Sequence, residues 1–95
     1  MSRPFDSLSE LREFGLLFAR MIAAMAMDPH GYFEKEYTAR IENSDSDTEI
    51  CGVIAHLVQW VVSPTISNEE RASLDAQLQN QGLPSVEQLQ IQFLP

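Results

Sequence analysis

The chain has 95 residues, of which 44% are hydrophobic and 21% charged, and its formal net charge at pH 7 is −8. This length suits one domain, which we predict to span residues 1–95, and the hydrophobic content is too high for a disordered acidic tail. With 14 acids against 6 bases, the composition argues against direct binding to nucleic acid or to an anionic membrane surface, since both need clustered Lys and Arg.

The acidic residues are unevenly distributed along the chain. Residues 1–41 carry six acids and five bases, whereas residues 42–95 carry eight acids and a single base, Arg71. Within that second part, residues 42–49 hold four acids: Glu42, Asp45, Asp47 and Glu49. An acidic surface attracts and steers a basic protein partner, most strongly at low ionic strength. The simpler interpretation is that the charge keeps the protein soluble.

The compartment is predicted from the cysteine content and the apolar stretches. The single cysteine, Cys51, leaves no intrachain disulfide and lies in an apolar run, which fits a reducing environment. No stretch reaches the roughly 18–20 apolar residues that a membrane-spanning helix needs. The most apolar stretch contains Arg20 and follows three acids, unlike a signal peptide. We therefore predict a cytoplasmic protein that does not act at a membrane.

Four copies of the pattern Ser-x-x-Glu or Ser-x-x-Gln mark expected helix starts. In a capping box, the serine oxygen accepts a backbone N–H of the first turn, and the Glu or Gln side chain accepts the serine N–H. The four pairs are Ser7 with Glu10, Ser46 with Glu49, Ser67 with Glu70, and Ser85 with Gln88. Because each pair precedes an apolar periodic segment, the sequence predicts four helices that begin there.

The first helix is predicted over residues 8–27. Five apolar residues at helical spacing form one face: Leu11, Phe14, Phe18, Ile22 and Met25. Three small residues, Gly15, Ala19 and Ala23, form a second stripe that lets another helix approach closely. Since beyond Phe14 the helix is apolar on nearly all sides except at Arg20, we expect it to be central in the bundle or shared with a second subunit.

The second element, residues 29–42, has two interpretations. The pair Asp28-Pro29 is typical of an N-cap followed by the first helical residue. Phe33, Tyr37 and Ile41 recur every fourth residue, as they do on one face of a helix. The same apolar residues also alternate with polar ones, which suits a half-exposed strand. We favour the helix and keep the strand as the alternative.

The third helix is predicted over residues 47–62 and the fourth over residues 68–80. In the third, the apolar run is interrupted only on a narrow stripe that includes Gly52, His56 and Gln59, so we expect this helix to be the centre of the core. In the fourth, two leucines point inward, Leu74 and Leu78. Gly82 lies where a left-handed C-terminal cap is expected.

The last segment, residues 85–94, is again ambiguous. Val86, Leu89 and Phe93 suit a helix, whereas Leu89, Ile91 and Phe93 alternate with glutamines as in a strand. We predict an all-α fold, a compact bundle of four or five helices. The alternative is an α+β fold with a small antiparallel sheet formed by about residues 33–42 and 88–94.

No recognised catalytic or cofactor motif occurs in the sequence, and no cofactor is predicted. The acidic residues 42–49 suggest calcium, but an EF-hand loop that began at Asp45 would have Ile50 at its glycine position and His56 at its glutamate position. Cys51 and His56 lie about 140° apart on one helix, so these two residues alone form neither a zinc site nor a nucleophile and base.

The remaining candidate residues are weak partner-binding sites. Tyr32 falls outside the apolar stripe of its own segment and is a candidate exposed anchor. Arg20 is the one charge of the predicted first helix beyond Phe14, and either extends to water, pairs with an acid or anchors an interface. His56 lies on a polar stripe, where a pH-sensitive contact is one role. Together with Glu42, Asp45, Asp47 and Glu49, these residues are the predicted partner surface.

Three functions follow from these observations. The first is a small acidic, non-catalytic protein–protein interaction module, such as an adaptor, inhibitor, immunity or chaperone-like protein, with a basic protein as partner. The second is a homo-oligomeric structural module, in the simplest case a homodimer, suggested by the apolar first and third helices and by the stripe of Gly15, Ala19 and Ala23. The third is a metal-binding or enzymatic protein that uses Cys51, His56 or the acidic loop 42–49.

Overall fold

The computed structural model describes residues 7–26 and 30–94. These residues form five α-helices and no strand, which confirms the all-α bundle. The helices are α1 (Leu8–Met25), α2 (Tyr32–Glu42), α3 (Asp47–Val61), α4 (Asn68–Asn80) and α5 (Val86–Phe93). None of the helices in this described part is long and apolar enough to cross a membrane.

Serine caps begin four of the helices, as the Ser-x-x-Glu/Gln pattern predicts. The hydroxyl oxygens of Ser7, Ser46, Ser67 and Ser85 each accept the backbone N–H three residues later. Both bonds of the capping box form at Ser67 and Ser85. At Ser46, the Glu49 carboxylate instead accepts the backbone N–H of Asp45, at 3.1 Å. The helix starts are therefore fixed by local chemistry.

The start of α2 differs from the prediction. The predicted cap and first residue, Asp28 and Pro29, lie outside the described residues, and the helix begins at Tyr32. Its N-cap is Gly31, which has the left-handed φ of 69° and so interrupts any helix that would begin earlier. The first helix likewise ends at Met25, two residues before its predicted end.

Both segments that allowed a strand are helical, because their buried residues follow helical spacing. In α5, Val86 and Leu89 are buried, whereas Ile91, which strand alternation would turn inward with Leu89, is 77% exposed. In α2, the fully buried residue is Ile41, and the Phe33 and Tyr37 rings lie 4.6 Å apart on the same side. The antiparallel sheet alternative is therefore wrong.

The core is centred on α3, which packs against α1, α2 and α5. Its inward face is closed to solvent along its whole length: Ile50, Ile54, Leu57, Val58 and Val61. Its exposed stripe includes Gly52, His56 and Gln59, as predicted. From α1, Phe18 and Ile22 are fully buried in the same core.

Helix α4 is followed by a C-terminal cap at a glycine in the connection to α5, as the sequence predicts. Gly82 has φ 72°, and its N–H donates to the Gln79 carbonyl at 3.0 Å. The next N–H, that of Leu83, donates to the Leu78 carbonyl at 2.9 Å. These two bonds are the Schellman arrangement, in which a left-handed residue satisfies the last carbonyls of a helix.

The small-residue stripe of α1 allows α2 to approach closely. Gly15 is buried, and a Cβ atom placed on it would lie 2.9 Å from Cδ1 of the fully buried Ile41. Ala19 and Ala23, the other members of the stripe, are also buried. The stripe is therefore used within one chain, which removes one of the reasons for predicting a homodimer.

Two glycines in helices give a matched test of this packing. Gly52→Ala should stabilise the protein by roughly 0.5–1 kcal/mol, because alanine favours the helix and nothing lies within 4 Å of the added methyl. Gly15→Ala has the same helical gain, but the far end of the Ile41 side chain, 2.9 Å from the new methyl group, must shift within a closed core, and we expect this shift to cancel the gain. Urea unfolding of both variants measures the difference. Equal stabilisation by both would show that α1 and α2 are not closely packed.

Candidate interaction surface

The connection between α2 and α3 is held in place by hydrogen bonds around one buried residue, Ser44. Its hydroxyl donates to the Arg40 carbonyl at 2.7 Å, and its N–H donates to the Ile41 carbonyl at 3.2 Å. Its own carbonyl accepts a 2.8 Å bond from Nη2 of Arg12 on α1. The connection is thus fixed both to the end of α2 and to α1.

All four predicted acids of residues 42–49 are exposed around this connection: Glu42, Asp45, Asp47 and Glu49. Asp47 and Glu49 lie in the first turn of α3, where the helix dipole favours negative charge. Within the part of the chain that the structure describes, none of the four makes an ion pair. The carboxylates therefore form an unneutralised acidic tip of the α2–α3 hairpin.

Two bases adjoin the acidic tip, and both have other partners. Arg12 donates to the Ser44 carbonyl, although its buried Nε has no hydrogen-bond partner. Arg40 donates from Nη2 to Oε1 of Glu36 at 2.9 Å, and its guanidinium lies 5.3 Å from the centre of the Tyr37 ring. Their charges weaken the field of the carboxylates on that side, but the carboxylates themselves stay open to a partner.

Arg20 and Tyr32 lie near the opposite end of the hairpin, where α1 leads into α2. Arg20 is exposed and its Nε is 3.9 Å from Oε1 of Glu34, so the predicted pairing with an acid is observed. Tyr32 is 71% exposed, and its ring centre is 5.5 Å from that of His30. With α2 about 15 Å long, this end does not form one compact site with the acidic tip.

His56 is exposed on α3, one turn before Trp60. Trp60 is half-buried, and its ring centre lies 5.5 Å from that of Phe33, which in turn packs against Tyr37. We call these three rings, Phe33, Tyr37 and Trp60, the aromatic face of α2 and α3. In the sequence, the clue to this partial exposure is that Trp60 follows His56 by four residues and so borders the exposed stripe of α3.

Cys51 and His56 do not form a joint site. Cys51 is half-buried and packs against the core, whereas His56 is on the exposed stripe of the same helix. Across the described ranges, 7–26 and 30–94, no three His, Cys, Asp or Glu side chains are placed to hold a metal ion.

An open groove of about 420 Å³ lies between α4 and α5, lined in part by Arg71, Asp75 and Glu87. One of its polar side chains, Asp75, joins the two helices. Oδ1 of Asp75 accepts the backbone N–H of Val86 at 2.8 Å, and its Oδ2 accepts from Nε2 of Gln79 at 3.3 Å. The groove is therefore a structural junction between α4 and the start of α5.

No protein-family model, curated protein sequence or solved structure matches this chain.

Proposed function

We propose that the protein is a small acidic, non-catalytic interaction module whose α2–α3 acidic tip binds a basic protein partner. The observation that supports this most directly is that four exposed carboxylates at one hydrogen-bonded connection form no ion pair with any described residue: Glu42, Asp45, Asp47 and Glu49. An adaptor, inhibitor, immunity or chaperone-like protein would each use such a surface in the same way, to attract and orient a cationic partner.

The rigidity of the connection favours binding. Ser44 and Arg12 hold the connection to two helices, and Asp47 and Glu49 are already part of α3. Because little chain freedom is lost on binding, less of the interaction free energy is spent on ordering the loop. Residues 50–95 add four acids and a single base, Arg71, and so extend the negative field beyond the tip.

Binding of the partner should depend on the position of the acids of the tip rather than on the net charge of the protein. The protein would be used at low salt to capture binding proteins from lysate of its native cells, with mass spectrometry to identify them. For a specific partner, the double variant Glu42→Gln/Asp45→Asn should weaken binding about tenfold, which corresponds to about 1.4 kcal/mol. Raising the salt to physiological strength should weaken binding by the unchanged protein as well.

A charge-matched control comes from α4 and α5, where Glu69 and Glu87 are exposed. The double variant Glu69→Gln/Glu87→Gln removes as much negative charge as the first double variant, but at positions outside the acidic tip. It should weaken binding less than about twofold. If both double variants lost the same binding affinity, the attraction would come from the overall charge of the protein, and the proposed site would be contradicted. Recovery of the protein alone, with a dimeric mass in solution, would favour the homo-oligomeric function instead.

A further inference from the structure

We draw no further inference here: the strongest candidate, the half-buried aromatic face of α2 and α3 formed by Phe33, Tyr37 and Trp60, carries nothing more because nothing in the structure shows what covers it.

Discussion

Replacing Phe18 by alanine should lower the free energy of unfolding by about 3–5 kcal/mol. Phe18 is fully buried in the middle of α1, and its ring stacks on Phe14 with ring centres 5.3 Å apart. The substitution removes the largest kind of apolar side chain present in this core and leaves a cavity that fixed neighbouring helices cannot fill. Since a domain of this size has only about 5–15 kcal/mol of stability, the loss is a large share of the total.

Urea unfolding followed by far-UV circular dichroism measures this loss. Tyr32→Ala is the matched control, because it also truncates an aromatic side chain of a helix but at a position that is 71% exposed, and we expect a change within about 0.5 kcal/mol. If Phe18→Ala does not fold, Phe18→Leu retains more volume and should show a smaller loss in the same direction. A loss at Phe18 no larger than that at Tyr32 would mean that α1 does not bury this face.

The features of the fold that could be predicted from the sequence are those fixed by local chemistry. Ser67 and Ser85 each have the partner side chain three residues later that a capping box needs, so the starts of α4 and α5 were visible in the sequence. Gly82 could be assigned as a helix end for a similar reason, since the left-handed conformation there is strained for other residues. Spacing of apolar residues then identified α3 as the centre of the core.

The features that could not be predicted depend on contacts between distant residues. Ile91 has the same apolar character as Leu89, and only the packing of α5 on α3 shows that Leu89 is buried while Ile91 is exposed. The start of α2 was misplaced because Asp28-Pro29 is a strong local signal, and the signal that competes with it, Gly31, is a single residue with no sequence pattern around it.

The candidate surface was predicted in its parts but not in its arrangement. Charged residues in a polar loop are almost always exposed, so the acids around Asp45 could be assigned to the surface from the sequence. The pairing of Arg20 with Glu34 could not, because it joins residues of two different helices. Nor did the sequence show that Ser44 would be buried and would fix the acidic tip to α1 through Arg12.

Arg71 is the clearest case of a role that depends on contacts between residues distant in sequence. Its replacement should have the second-largest effect on the free energy of unfolding. In sequence it is the lone base of an acidic half, whereas in the structure its guanidinium holds the turn between α3 and α4. Nε donates to the Val61 carbonyl at 3.1 Å, Nη2 to the Ile66 carbonyl at 3.1 Å, and Nη1 to Oδ1 of Asn68 at 2.8 Å. Val61 is the last residue of α3, where the helix dipole also favours a cation.

Arg71→Leu should therefore lower the free energy of unfolding by about 2–3 kcal/mol, since bonds from a charged donor are lost and partly buried carbonyls are left without a partner. Arg71→Lys keeps the charge but not the planar fork, and should recover less than half of that loss. Arg20→Leu is the control for charge, because it changes the net charge equally but breaks only an exposed pair at 3.9 Å, for a loss of at most about 0.5 kcal/mol. Urea unfolding of the three variants separates the contribution of the positive charge from that of the directed hydrogen bonds. If Arg71→Lys were as stable as the unchanged protein, the cation alone would account for the role of Arg71, and the directed bonds to the turn would contribute little.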